Sequence, residues 1–177
     1  QRESLESGKY RVYIDSTISP GVLNYGELII PGDSKEEVLL STYICHPSMA
    51  NNELSGPIIS IFLSKWIKTI KNRKWSYRFI FVPETIGSIA YLSKNYKKLK
   101  KNVIAGYVLT CLGDDRNYSF LPSKFKNSIS DKIARKVLNS SVRFKEYSWL
   151  ESRSDEIQFC SPGIDLPIAS IMRTKYG

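Results

Sequence analysis

The sequence predicts an α/β fold, a three-layer sandwich with a mixed, mainly parallel central sheet. Three observations lead there. Nearly continuous apolar runs recur at residues 38–44, 77–82 and 103–112, as strands covered on both faces require. Segments with apolar residues at helical spacing stand between those runs. The 177 residues, 42% of them hydrophobic and 24% charged, are enough for one sizeable core.

Taken in order, residues 10–14 alternate as a strand does, and Pro20-Gly21 punctuates. Residues 26–30 read as a second short strand before the turn at Pro31-Gly32. The run 38–44 leads straight into His46, the only histidine of the chain. A helix follows from near Ser55 or Pro57 to about Ile70, with Trp66, Ile67 and Ile70 as its apolar residues. The run 77–82 ends at Pro83-Glu84, and a second helix covers roughly 88–96. The run 103–112 ends at Gly113-Asp114-Asp115. Residues 128–138 form an amphipathic helix with Ile129, Ile133 and Val137 on one stripe. A short helix at 155–159 precedes a last strand at 166–172.

Ligands of open α/β sheets bind beyond the carboxyl ends of the strands. Three successive central runs lead into His46, Glu84 and Asp114, so their loops converge on one edge. One imidazole and two carboxylates suit a zinc ion, which takes nitrogen and oxygen donors. Each residue also has a structural reading: Glu84 at a helix N-terminus, Asp114 in a turn beside Gly113.

Bulk properties exclude several classes. The formal net charge of +9 comes largely from two lysine-rich stretches, 65–74 and 94–101. They read as the wet face and the end of helices rather than as a nucleic-acid surface. No stretch approaches the ~20 apolar residues that span a bilayer, and residues 1–7 lack the apolar core of a secretory signal. Cys45, Cys111 and Cys160 read as reduced thiols of a cytoplasmic protein, with no second Cys at ligand spacing from Cys45 and His46. The chain begins on Gln1 rather than Met, as a piece of a longer protein does.

The stretch from Cys45-His46-Pro47-Ser48 to Asn51-Asn52-Glu53-Leu54-Ser55-Gly56 resembles the first metal motif of the zinc aminopeptidase superfamily. More narrowly, it is similar to bacterial polysaccharide-biosynthesis proteins with an aminopeptidase-like domain. Val82-Pro83-Glu84-Thr85-Ile86-Gly87-Ser88 resembles the second motif and Val108-Leu109-Thr110-Cys111-Leu112-Gly113-Asp114 the third. Ser154-Asp155-Glu156 resembles the Ser-Asp-His stretch of those peptidases. The resemblance covers the chain from about Val38 onward, with the motifs in order.

The resemblance implies a zinc-exopeptidase-like domain over residues 33–177, truncated at its C-terminal end. Residues 1–32 would be the tail of a preceding or inserted β-rich segment. It implies one or two zinc ions held by His46, Asn52, Glu84 and Asp114, with Glu84 as general base and Asp155 lining the substrate cleft. The substrate would be a peptide or aminoacyl compound, with neither nucleic acid nor membrane as partner. Two departures stand out. Asn52 occupies the place of a bridging aspartate, and Glu84 stands alone where the superfamily carries two consecutive carboxylates. A last His ligand is expected beyond the strand at 166–172, and Gly177 is reached without it. The departures leave a second reading open: a catalytically degraded, aminopeptidase-like binding module.

Overall fold

The computed structural model describes residues 6–45, 48 and 50–175. Its strands are β1 (Gly26–Ile30), β2 (Glu37–Tyr43), β3 (Ser76–Val82), β4 (Val103–Leu109), β5 (Ser119–Leu121), β6 (Lys145–Glu146) and β7 (Ile168–Met172). The helices are α1 (Ser55–Thr69), α2 (Ile86–Asn102), α3 (Ile129–Ser141) and α4 (Glu156–Phe159), with a π-turn at Ala50–Leu54 leading into α1. The strands form one sheet in the order β1-β3-β2-β4-β7-β5-β6. Its centre, β3-β2-β4-β7, is parallel throughout. β1 pairs antiparallel with β3, so the segment before Gly32 contributes the edge of this same sheet. β5 runs antiparallel to β7 and parallel to β6. The mixed, mainly parallel α/β sheet expected from the apolar runs is therefore present.

Alternation along the strands distributes the core between two faces. Leu39, Ile80, Val108 and Ile168 point to one face and meet Tyr91, Leu92 and Leu99 of α2 and Phe159 of α4. Leu40, Phe79 and Leu109 point to the other, where Ile67 of α1 packs. On that same face Phe120 and Ala169 lie under Ala134 and Leu138 of α3.

Close contact explains Gly56. A Cβ there would stand 2.2 Å from Thr42 Oγ1 and 2.3 Å from the Leu109 carbonyl oxygen, so only glycine lets α1 start against β2 and β4. α3 starts on a capping box, with Ser128 accepting from the Asp131 N–H and Asp131 accepting from the Ser128 N–H.

Four expectations need correction. Residues 10–14 form no strand; they are exposed, and alternation alone gives no ladder without a partner. α2 runs six residues beyond position 96 to Asn102, because Leu99 reaches the core among the lysines. β4 ends at Leu109 rather than at 112, since Cys111 turns the chain at φ 49°. The stripe Ile129, Ile133 and Val137 of α3 faces outward, as does Trp66 of α1, while Ser130, Ala134 and Leu138 of α3 and Ser60, Ser64 and Ile67 of α1 pack inward.

At the amino edge of the parallel strands, Arg78 is 1% exposed. It donates to both Glu37 oxygens, at 2.5 and 2.9 Å, and also to Glu27 and the Tyr91 hydroxyl. Burial alone would raise the Glu37 carboxyl, but the Arg78 hydrogen bonds outweigh it and hold that group below its ordinary value.

Candidate functional site

The loops at the carboxyl edge carry the residues singled out from the sequence. His46 lies outside the described residues. β2 ends at Tyr43, and two residues later the Cys45 N–H donates to Glu53 Oε2 at 2.7 Å. Glu53, 4% exposed, thus ties the π-turn that carries Asn52 back to the end of β2. Asn52 is half-buried in the middle of that turn.

β3 ends at Val82, and Glu84 follows two residues on. Its carbonyl accepts from the Ile86 N–H at 2.7 Å around Thr85, whose φ of 61° and ψ of −68° make a γ-turn of the rare, strained kind. A β-branched residue seldom adopts this conformation, and such strain is held where surrounding contacts over-determine it. They do so here. The Thr85 N–H donates to Asp155 Oδ1 at 2.7 Å, and the Ser88 hydroxyl reaches the same oxygen at 3.0 Å. The Ser154 hydroxyl donates to Glu84 Oε1 at 2.5 Å, and the Glu84 N–H donates to Cys45 Sγ at 2.9 Å. Ser154 thus holds the Glu84 carboxylate, and Cys45 its backbone.

Asp155 is fully buried, and the bonds it accepts come from the turn around Glu84. Its Oδ2 is buried without a hydrogen-bond partner among the described residues. Burial first, and then the charges of Glu84 and Glu156, push its carboxyl up to about 6 against the pull of the Thr85 and Ser88 bonds. A group so enclosed supports the Glu84 turn and does not face a cleft.

Asp114 stands five residues beyond the end of β4. Its Oδ1 accepts from the Thr174 hydroxyl at 2.6 Å and the Arg116 N–H at 3.1 Å. Its Oδ2 accepts from the Thr174 N–H at 3.1 Å and from Asn51 Nδ2 at 3.2 Å. The Thr174 hydroxyl above all, with the other donors, holds this carboxyl well below the usual range. The same Asn51 accepts from the Gly113 N–H at 2.6 Å, and Ser55 Oγ accepts from the Leu112 N–H at 2.8 Å. Asp114 thus joins three loops, those after β4, after β7 and before α1.

The acids act on common neighbours. Burial chiefly, and then Asp114, Glu84 and Glu53, raise the Cys111 thiol; burial, and then Glu53, Glu84 and Asp155, raise the Cys45 thiol. The edge therefore concentrates negative charge. Among the described residues, however, no group of three His, Cys, Asp or Glu side chains is placed to hold a metal ion. Asp114 has both oxygens engaged by protein donors, and Asn52 offers a neutral amide. The described donors by themselves do not fit a zinc site.

Three of these residues escaped the sequence reading: Asn51, Ser154 and Thr174. Ser154 had a signal, standing next to Asp155 in the fourth motif. Thr174 had none, since its bond to Asp114 joins positions 60 residues apart.

The chain matches the family described as Domain of unknown function (DUF4910) over residues 6–177. It is 47% identical, over 95% of its length, to a Clostridium acetobutylicum protein named as a candidate polysaccharide biosynthesis protein with an aminopeptidase-like domain. It spans 38% of that relative. Among solved structures it resembles that of a candidate peptidase from Clostridium acetobutylicum, with 46% identity, a TM-score of 0.82, and coverage of 86% of this chain and 36% of the other. It also resembles a zinc aminopeptidase from Bacillus subtilis, with 14% identity, a TM-score of 0.69, and coverage of 85% and 39%. The second likeness shows the fold alone. The chain belongs to the DUF4910 family, with the α/β fold of the zinc exopeptidases.

Proposed function

From that membership as premise, we propose that this aminopeptidase-like domain binds the amino-terminal end of a peptide or aminoacyl compound at the carboxyl edge without hydrolysing it. The observation that carries the reading is Asp114, whose two oxygens are occupied by Thr174, Asn51 and Arg116. A carboxylate so engaged clasps loops and has little left for a metal. Asn52 adds to this, since an amide cannot neutralise two dications as a bridging carboxylate does. Pro83 and Thr85 flank Glu84, so neither neighbour supplies a second carboxylate.

What the edge retains is a place for a cation. Glu84 is half-buried and held by Ser154, a neutral donor, so its charge is available to an ammonium group. A charge-assisted bond of this kind contributes about 1.5–3 kcal/mol, enough to orient a small amine. Calorimetric titration with L-leucinamide should show saturable binding, weakened at least tenfold in Glu84→Gln. Equal binding by both proteins would refute the role given to Glu84.

A second reading is a zinc-dependent hydrolase, with one or two ions held by His46, Glu84 and partners from further polypeptide. The hold of Ser154 on the Glu84 carboxylate favours it, because a general base must be fixed relative to the water it activates. The name of the Clostridium relative suggests polysaccharide biosynthesis as the setting for either reading.

A further inference from the structure

We infer that the outward face of α1, with that of α3 beside it, seats an amphipathic helix carrying an apolar stripe and acidic flanks. α1 packs on the core through Ile67 near its end, but its first turns are inverted relative to an ordinary sheet-covering helix. Ser55, Gly56, Ser60 and Ser64 face the sheet, while Leu54, Ile58, Ile61, Phe62 and Trp66 are exposed, the last two by 65% and 62%. The contact at Gly56 shows why small residues face inward: the helix starts too close to β2 and β4 for bulk. It gives no reason for bulk outside. Polar residues at those outward positions would leave the packing against the sheet unchanged.

α2 shows what a wet helix face is in this protein, with Lys94, Lys97, Lys98 and Lys101 exposed on it. α3 repeats the pattern of α1. Ile129, Ile133 and Val137 are exposed, with Ser130, Ala134 and Leu138 inward. The two helices are neighbours, since Tyr107 of β4 packs into the clusters beneath both. A cavity of about 430 Å³, walled by Leu54, Ile58, Ile59 and Leu112, opens at the start of α1 and would take one apolar side chain of the occupant. Two neighbouring apolar stripes exceed the scattered exposure normal for a surface.

Charge selects the occupant. The exposed charges on α1 and α3 include Lys65, Lys68, Lys132 and Lys136, and the single acid of these helices, Asp131, is buried. A second copy would set lysine against lysine, whereas acidic flanks on a helix would complement them. In the Clostridium relative 62% of the polypeptide lies outside the part that this chain spans, so chain able to supply such a helix in cis exists there.

The test uses the 177-residue chain and labelled 20-residue peptides tiled across that outer part of the Clostridium relative, with fluorescence anisotropy as readout. Binding should concentrate on one peptide, or two overlapping ones, with an apolar stripe at helical spacing and net negative charge. Phe62→Asp and Ile58→Asp should each weaken it at least tenfold while leaving the circular dichroism spectrum and melting temperature unchanged, since both side chains are exposed. No binding by any tile, or binding indifferent to both substitutions, overturns the proposal. Self-association in sedimentation that Phe62→Asp abolishes would overturn it in favour of a second copy. Attachment to phosphatidylglycerol vesicles that the same substitution abolishes would overturn it in favour of a membrane surface.

Discussion

The two ends of the central strands handle buried charge in opposite ways. At the amino edge Arg78 is closed in by Glu37, Glu27 and Tyr91, and its donors are spent on protein acceptors. At the carboxyl edge Asp155 keeps a buried oxygen unpartnered among the described residues, a γ-turn at Thr85 is strained, and the Glu84 carboxylate accepts from the neutral Ser154 hydroxyl. The first arrangement is what a buried ion pair needs in order not to destabilise a fold. The second leaves electrostatic work for a ligand. Comparison of the two ends of the same strands therefore separates charges that hold the sheet together from charges that recognise something.

Substitutions at the two ends should differ most in their effect on stability. Arg78→Met leaves the buried Glu37 without its cation and Glu27 at the sheet edge without its partner, and should lower the unfolding free energy by about 3–5 kcal/mol in urea titration. Glu84→Gln, at the other end, should change it by less than about 1 kcal/mol while weakening binding of L-leucinamide at least tenfold. Equal losses of stability at both positions would erase the distinction.

The pH dependence of Asp155 sharpens it further. Its carboxyl is raised from 3.8 to about 6 on folding. Between those values the folded state holds the extra proton, so the contribution of this group to stability falls as pH rises from about 4 to about 6. Asp155→Asn cannot ionise. The stability of the variant relative to the parent should therefore improve by about 2 kcal/mol between pH 4 and pH 7. A pH-independent difference would show that the burial of Asp155 has no electrostatic cost.

The smallest effect concerns Thr85. Glycine adopts a φ of 61° without steric penalty, so Thr85→Gly should be neutral or stabilising by up to about 1 kcal/mol despite the added freedom of the unfolded chain. A loss well above that would mean the threonine side chain contributes contacts beyond its backbone bond to Asp155.

Much of this architecture is readable in the sequence because strands buried on both faces are written as uninterrupted apolar runs. β2, β3 and β4 each begin within a residue of where such a run begins. β5 and β6 are not readable, being three and two residues long and defined by pairing with distant positions. The orientation of α1 and α3 is misread for a physical reason. Helical periodicity marks an apolar stripe but does not say whether the sheet or another partner covers it. At the site, Glu84 stands beyond β3 as its strand run indicates. Asp114 is displaced because the apolar letters of Leu112 and Cys111 continue past the turn that ends β4. Asp155 is recognisable as a motif residue, but its complete burial follows from packing that no local pattern encodes.

The central claim is recognition without hydrolysis at the carboxyl edge, and incubation with leucine p-nitroanilide in the presence of excess zinc tests it most directly. The protein should bind the compound in competition with L-leucinamide and release no p-nitroaniline above a Glu84→Gln control. Zinc-dependent release of p-nitroaniline that Glu84→Gln abolishes would contradict it and establish Glu84 as the general base of a hydrolase.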